Sequence, residues 1–115
     1  MITFKTVKVW FLLIFFFVNI FYVAPCFSLV LREDLFKNAL DLSSDGKFNL
    51  ALQEWNRYLD SYPDDAAGLS NRGNVRLVTG DVEGSIDDQN KAISLNPSEI
   101  DPYINRGIAE EALGQ

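Results

Sequence analysis

PDDAAGLSNRGNVRLVTGDVEGSIDDQNKAISLNP, residues 63–97, is the stretch whose reading decides the fold. Prolines close it at both ends, and Gly80-Asp81 interrupts it near the middle. After the interruption Val82, Ile86, Gln89 and Ile93 fall at i, i+4, i+7 and i+11, one stripe of a helix with about 3.6 residues per turn. The same offsets occur upstream in Phe48, Leu52, Trp55 and Leu59, so three of the four matched pairs are apolar. The shift between copies is 34 residues, and it also relates Gly46, Gly80 and Gly114, Pro63 and Pro97, and Gly73 and Gly107. Asn71-Arg72-Gly73 returns as Asn105-Arg106-Gly107. A strand would alternate polar and apolar residues, and none of this does.

Each copy therefore reads as a helical hairpin. Gly46 and Gly80 break the helix midway, Asp45 and Asp81 stand ready to cap the second helix, and proline ends the unit. Asp101-Pro102 opens a third copy as an N-cap followed by proline, where the missing N–H costs nothing. A glycine inside a helix costs about 1 kcal/mol relative to alanine, so Gly73 and Gly107 require an offsetting gain. Close approach of the paired helix supplies it, and Ala39, Ala51, Ser85 and Ala92 are expected to be small for the same reason.

A 34-residue helix-turn-helix period, small residues at the helix crossing and a closing proline resemble the tetratricopeptide repeat (TPR) family, over residues 32–115. The resemblance implies an all-α fold, a right-handed superhelical stack of antiparallel helix pairs: repeats at 32–65 and 66–99, then the first helix of an incomplete third at 100–115, about two and a half copies after an N-terminal hydrophobic helix. Departures are Tyr58 for a small residue, Gln89 for an aromatic, and Arg76 and Glu110 at an apolar site, which make the later copies weaker core formers.

In such stacks the first helices build a concave face that holds peptides. The groove positions correspond here to Phe36, Lys37 and Leu40, then Ser70, Asn71 and Asn74, then Ile104, Asn105 and Ile108. The clamp with which one TPR subclass grips chaperone C-terminal carboxylates is absent: Asn71 fits, but Phe36, Leu40 and Asp101 do not, and Asn105 replaces a cation. An acidic tail is expected to bind weakly.

Residues 1–31 are a different material, with Lys5 and Lys8 as their charges and an apolar run from Val9. Val9 to Ala24 suits the core of a cleaved secretory signal, and 9–31 is long enough for an uncleaved membrane anchor; both readings stay open. Either retains the lysines on the cytoplasmic side and puts residues 32–115 in the periplasm, a lumen such as that of the thylakoid, or outside the cell. Val23-Ala24-Pro25-Cys26 departs from a lipoprotein cleavage box because Pro25 stands where a small residue is needed.

Residues 32–115 carry 8 basic and 16 acidic side chains, which disfavours nucleic acid as a partner. Histidine is absent and Cys26 is the single cysteine, which removes His-based catalysis and Cys/His metal sites. Asp41, Ser43, Asp45 and Gly46 imitate an EF-hand start, but Leu52 stands where the loop needs a bidentate Glu. Asp87 with Asp88, and Glu110 with Glu111, diverge by about 100° on a helix and read as solvent-facing acids rather than a hydrolytic dyad. The expectation is a non-catalytic module that binds another protein, with no metal, cofactor or small-molecule substrate. The segments Asn71-Arg72-Gly73-Asn74 and Ile86 to Ile93 are similar to TPR proteins of cyanobacteria and thylakoids, some of which assist photosystem assembly. The alternatives are a self-associating envelope protein and a truncated piece of a longer TPR scaffold.

Overall fold

Glycine recurs every 34 residues because the chain turns there. Gly46, Gly80 and Gly114 adopt φ of 74°, 94° and 77°, a left-handed backbone that a Cβ disfavours. At the first two, Lys47 N–H reaches Leu42 O (3.0 Å) and Asp81 N–H reaches Arg76 O (2.8 Å), the 6→1 bond of a Schellman turn. The computed structural model describes residues 4–114, without the side chains of 4–6 and 18–24. Its elements are α1 (Phe4–Ser44), α2 (Phe48–Ser61), α3 (Ala66–Val78), α4 (Val82–Leu95) and α5 (Asp101–Ala112), with no strand among the described residues.

The chain divides into two units between Glu33 and Asp34, inside α1. In the first, the large apolar side chains from Trp10 to Phe17 and from Phe27 to Leu31 are exposed, and Pro25 lies within the helix. Among the described residues no helix is long and apolar enough to cross a membrane. Part of the signal-or-anchor stretch, Lys5 and residues 18–24, lies outside the described side chains.

In the second unit the first hairpin has an aromatic core. Trp55 and Tyr58 are fully buried, and Phe36 meets both rings edge-on at 5.0 and 5.3 Å, a favoured arrangement of ring quadrupoles. Trp55 Nε1–H donates to Ser43 Oγ (2.9 Å), which donates to Ala39 O (2.8 Å), so the indole's polar edge is satisfied. Ala39 and Ala51 are fully buried where the helices cross. Tyr58, the bulky departure, fits because Gly68 faces it: a Cβ there would sit 2.8 Å from Tyr58 Cε1. Its hydroxyl donates to Asp65 Oδ2 (2.6 Å), while Asp65 Oδ1 caps α3 by accepting from Gly68 N–H (2.9 Å).

The second hairpin is held differently. Asp88 is 4 % exposed, which overturns its reading as a solvent-facing acid; Asp87 is the exposed one. Arg72 binds Asp88 in a fork, Nε to Oδ2 (2.9 Å) and Nη2 to Oδ1 (2.7 Å), and Arg76 Nη1 lies 3.0 Å from Oδ2. Arg76 therefore fills an apolar site with an ion pair across the helix contact. Gln89, also fully buried, donates from Nε2 to Ser70 O (3.0 Å). Ser85 and Ala92 are fully buried on the same helix. Gly73 admits α4: a Cβ there would lie 2.6 Å from Gln89 Nε2 and 3.2 Å from Asp88 Cβ.

Three expectations change. Gly107 meets nothing within 4 Å, because among the described residues no helix lies against the face of α5 that repeats the covered face of α3. Asp45 does not cap α2, whose N-cap is Lys47 without a side-chain bond; Asp45 pairs with Lys47 (3.1 Å) instead, whereas Asp81 does cap Gly84 N–H (3.0 Å). Asp101 is the first residue of α5, after Ile100 as the N-cap, so it is not the cap either.

The contrast between the two glycines is testable. Gly107→Ala is expected to stabilise the protein by about 0.5–1 kcal/mol through helix propensity alone. Gly73→Ala must displace the buried Gln89 amide and is expected to destabilise by roughly 1–2 kcal/mol despite the same propensity gain. Urea unfolding followed by far-UV circular dichroism reads both, and equal signs would refute the packing argument. Asp88→Ala, which strips two arginines of a buried partner, is expected to cost about 3 kcal/mol in the same assay.

Candidate peptide-binding groove

Side chains three, four and seven residues apart share one helix face, and α3 uses this to aim Ala67, Ser70, Asn71 and Asn74 in one direction. The start of α5 brings Asp101, Pro102 and Asn105 opposite them, and the connection between α4 and α5 supplies Asn96 and Glu99 at one end. These residues, with Ala66, line a cavity of about 240 Å³. Its walls are tied by Asn105 Nδ2, which donates to Ser70 Oγ (3.3 Å). Within the walls Asn71 Nδ2 donates to Ala67 O (2.9 Å) and Asn96 Nδ2 to Glu99 Oε1 (3.3 Å). Asn74 Oδ1 accepts from Gln89 Nε2 at 3.4 Å, so the floor of the groove is fixed from the core behind it.

Of the nine sequence-derived groove residues, Ser70, Asn71, Asn74 and Asn105 line this cavity together. Ser70 is largely buried, a wall rather than a free contact. Ile104 and Ile108 are outside the lining, on the same helix, and 54 % and 51 % exposed. Phe36 is half-buried, its ring engaged with Trp55 and Tyr58 in the core, so it does not serve as a groove contact. Leu40 is exposed and outside the cavity lining. Lys37 is exposed and pairs with Asp41 (2.9 Å); the hydrogen bond and the charge of that carboxylate raise the lysine's pKa above the ordinary ammonium value.

Sequence reasoning missed Ala66, Ala67, Asn96, Glu99, Asp101 and Pro102 as lining residues. Ala67 was accessible to it, since it lies one turn before Asn71. Asn96 and Glu99 were not, because they lie at the join between copies, outside the helix stripes. A second missed feature is periodic. Arg72 Nη1 donates to Asn56 Oδ1 (3.1 Å), and one repeat later Arg106 Nη1 donates to Asn90 Oδ1 (2.9 Å). The same rung thus joins α3 to α2 and α5 to α4, and the 34-residue spacing of both partners announces it.

A second hollow of about 280 Å³, lined by Leu59, Asp60, Pro63, Leu69, Arg72, Asp87, Asp88 and Lys91, has its cations already engaged. Arg72 is on Asp88, and Lys91 lies 3.4 Å from Asp64 and donates to Pro63 O (2.9 Å). Among the described residues no cluster of His, Cys, Asp and Glu is arranged to hold a metal.

No protein-family profile matches the chain. Solved structures do. The first TPR of Spaghetti (RPAP3), bound to the HSP90 peptide SRMEEVD, is 24% identical with a TM-score of 0.68, over 71% of this chain and 65% of that one. The second TPR of the same protein, bound to the same peptide, gives 23% and 0.69, over 72% and 77%. The Sgt2 TPR domain from Aspergillus fumigatus gives 18% and 0.69, over 72% and 55%. This chain thus spans less than two thirds of the first and third of these structures. At such identities the likeness establishes the fold: an all-helical stack of the tetratricopeptide type.

Proposed function

We propose that residues 34–115 form a non-catalytic docking module that holds a segment of another protein in the groove between α3 and α5. The observation that carries this reading is the groove itself, an open cavity whose amide-rich walls come from successive first helices and are braced from behind by Gln89. Asparagine side chains offer both donors and acceptors to a peptide backbone. The two RPAP3 domains are bound to a peptide, which supports the same use of the fold here. Further to this, the apolar lead-in supports placement of the module on the exported side of a membrane, periplasmic, lumenal or extracellular, with the lead-in as signal or anchor. Assembly of a membrane complex, such as a photosystem, is the role proposed for it there.

A second reading is favoured by α5. Gly107 is open where Gly73 is covered, and Ile100, Ile104 and Ile108 are exposed beside it. That face suits one more helix, from a second copy in a self-associating envelope protein or from further repeats of a longer scaffold.

A photo-crosslinking residue at Ala67, on the groove wall, is expected to give a discrete adduct in cells, and one at Gln53 on α2 is expected to give none. Asn71→Ala, Asn74→Ala and Asn105→Ala together should abolish the Ala67 adduct without unfolding the chain. Identical adducts from both positions, or an adduct untouched by the triple variant, would overturn the docking reading. For the exported placement, the mass of the chain recovered from membranes is expected to lack the lead-in if it is a signal and to retain it if it is an anchor. Recovery of full-length chain in the soluble cytoplasmic fraction would refute both.

A further inference from the structure

The groove has a sign. The second unit contains seven lysines and arginines, and each lies against a carboxylate: Lys37 on Asp41, Lys47 on Asp45, Arg57 on Glu54, Arg72 and Arg76 on Asp88, Lys91 on Asp64 and Arg106 on Glu110. The same unit has fifteen acids, so its surplus charge is carboxylate. Glu99 and Asp101 belong to that surplus: both are exposed at the rim of the cavity, and among the described residues neither has a cation beside it. No lysine or arginine lines the cavity.

The neutral groups lean the same way. Asn71, Asn96 and Asn105 each spend one amide N–H on a protein acceptor, Ala67 O, Glu99 Oε1 and Ser70 Oγ, and among the described residues none of their side-chain oxygens receives a hydrogen bond. Three amide oxygens and two carboxylates are therefore left as acceptors among the lining residues, beside the second N–H of each of these amides. Asn74 is the exception: its oxygen is taken by Gln89, which leaves its N–H groups for an acceptor. Carboxylates at one rim, amide oxygens left as acceptors and no cation in the lining suit a peptide that carries an ammonium or guanidinium group. The cation fits the rim, and a backbone carbonyl fits Asn74.

Resting on the docking reading above, we propose that the groove selects a partner segment bearing lysine or arginine, with the cation held between Glu99 and Asp101 and the peptide backbone on Asn71, Asn74 and Asn105. The net negative field of the unit adds steering toward such a segment. A peptide rich in Glu and Asp meets carboxylates at the rim and is repelled.

The test uses the full chain in a non-ionic detergent and three fluorescein-labelled seven-residue peptides, blocked at both ends, that differ in carrying Lys, Gln or Glu at two positions. At low ionic strength the Lys peptide is expected to bind roughly five- to tenfold more tightly than the Gln peptide, and the Glu peptide more weakly than either. The advantage should shrink as salt shortens the screening length. Glu99→Gln with Asp101→Asn, exposed and nearly isosteric changes, should erase the ranking while circular dichroism stays unchanged. Glu99→Lys should move the preference toward the Glu peptide. Equal binding of the three peptides, a preference for the Glu peptide, or a ranking that survives the amide pair would each overturn the charge proposal. The crosslink from Ala67 separates this from the docking reading. If the unmodified groove gives the adduct but the three peptides bind alike or their ranking survives the amide pair, docking stands and charge selection fails; if the unmodified groove gives no adduct, docking itself has failed.

Discussion

One buried carboxylate sets the distance between α3 and α4. Asp88 accepts two N–H groups from Arg72 and pairs with Arg76, one turn further along α3, and the fork geometry of Arg72 leaves little freedom in how the two helices meet. The reach is possible because Gly73, between those arginines, offers no side chain to hold α4 away. α5 then rests on both helices, through Arg106 on Asn90 and through Asn105 on Ser70. The groove is the space left when these contacts are made, so its width follows from an ion pair on the opposite side of α3.

Two successive hairpins of one fold thus use opposite chemistry. The first buries Trp55 and Tyr58 against Phe36, apolar rings that meet edge-on. The second replaces the aromatic with Gln89 and an apolar residue with Arg76. Burying ionic groups recovers little net free energy relative to well-packed apolar ones, yet removing one partner is costly. The second hairpin is therefore specified in geometry more than it is stabilised. The rung from Arg72 to Asn56 joins it to the aromatic hairpin before it.

Much of this was legible in the sequence because the period is enforced by backbone constraints. A left-handed turn calls for glycine at 46, 80 and 114, and a proline ends each unit, so those letters recur even where the core changes. The polar core was less legible. Adjacent acids such as Asp87 and Asp88 look alike in sequence, and it is the fork from Arg72 that puts one inside; the i to i+16 spacing of Asn56 with Arg72 and Asn90 with Arg106 was the available sign. Capping was readable at Asp81 but not at Asp45, which takes Lys47 as its partner. Gly107 was misread because periodicity reports what a residue type suits, whereas contact depends on whether a neighbour is there. Phe36 shares its position in the repeat with Ser70, but a phenyl ring gains more from burial beside Trp55 than from water in a groove.

The sign of the groove follows from how the stack is held. Each of the second unit's cations is matched to a carboxylate, and Arg72, Arg76 and Arg106 lie at helix contacts where they orient one helix against another. Moving one of those arginines to the groove would open the helix contact it leaves. The faces are coupled in composition although they are separate in space: a repeat protein that uses its arginines between helices, in a chain with twice as many acids as bases beyond residue 31, keeps acceptors for its exposed faces. A binding surface built on a polar core is in this sense constrained by that core, and an apolar core like that of the first hairpin would release the cations and with them the choice of charge.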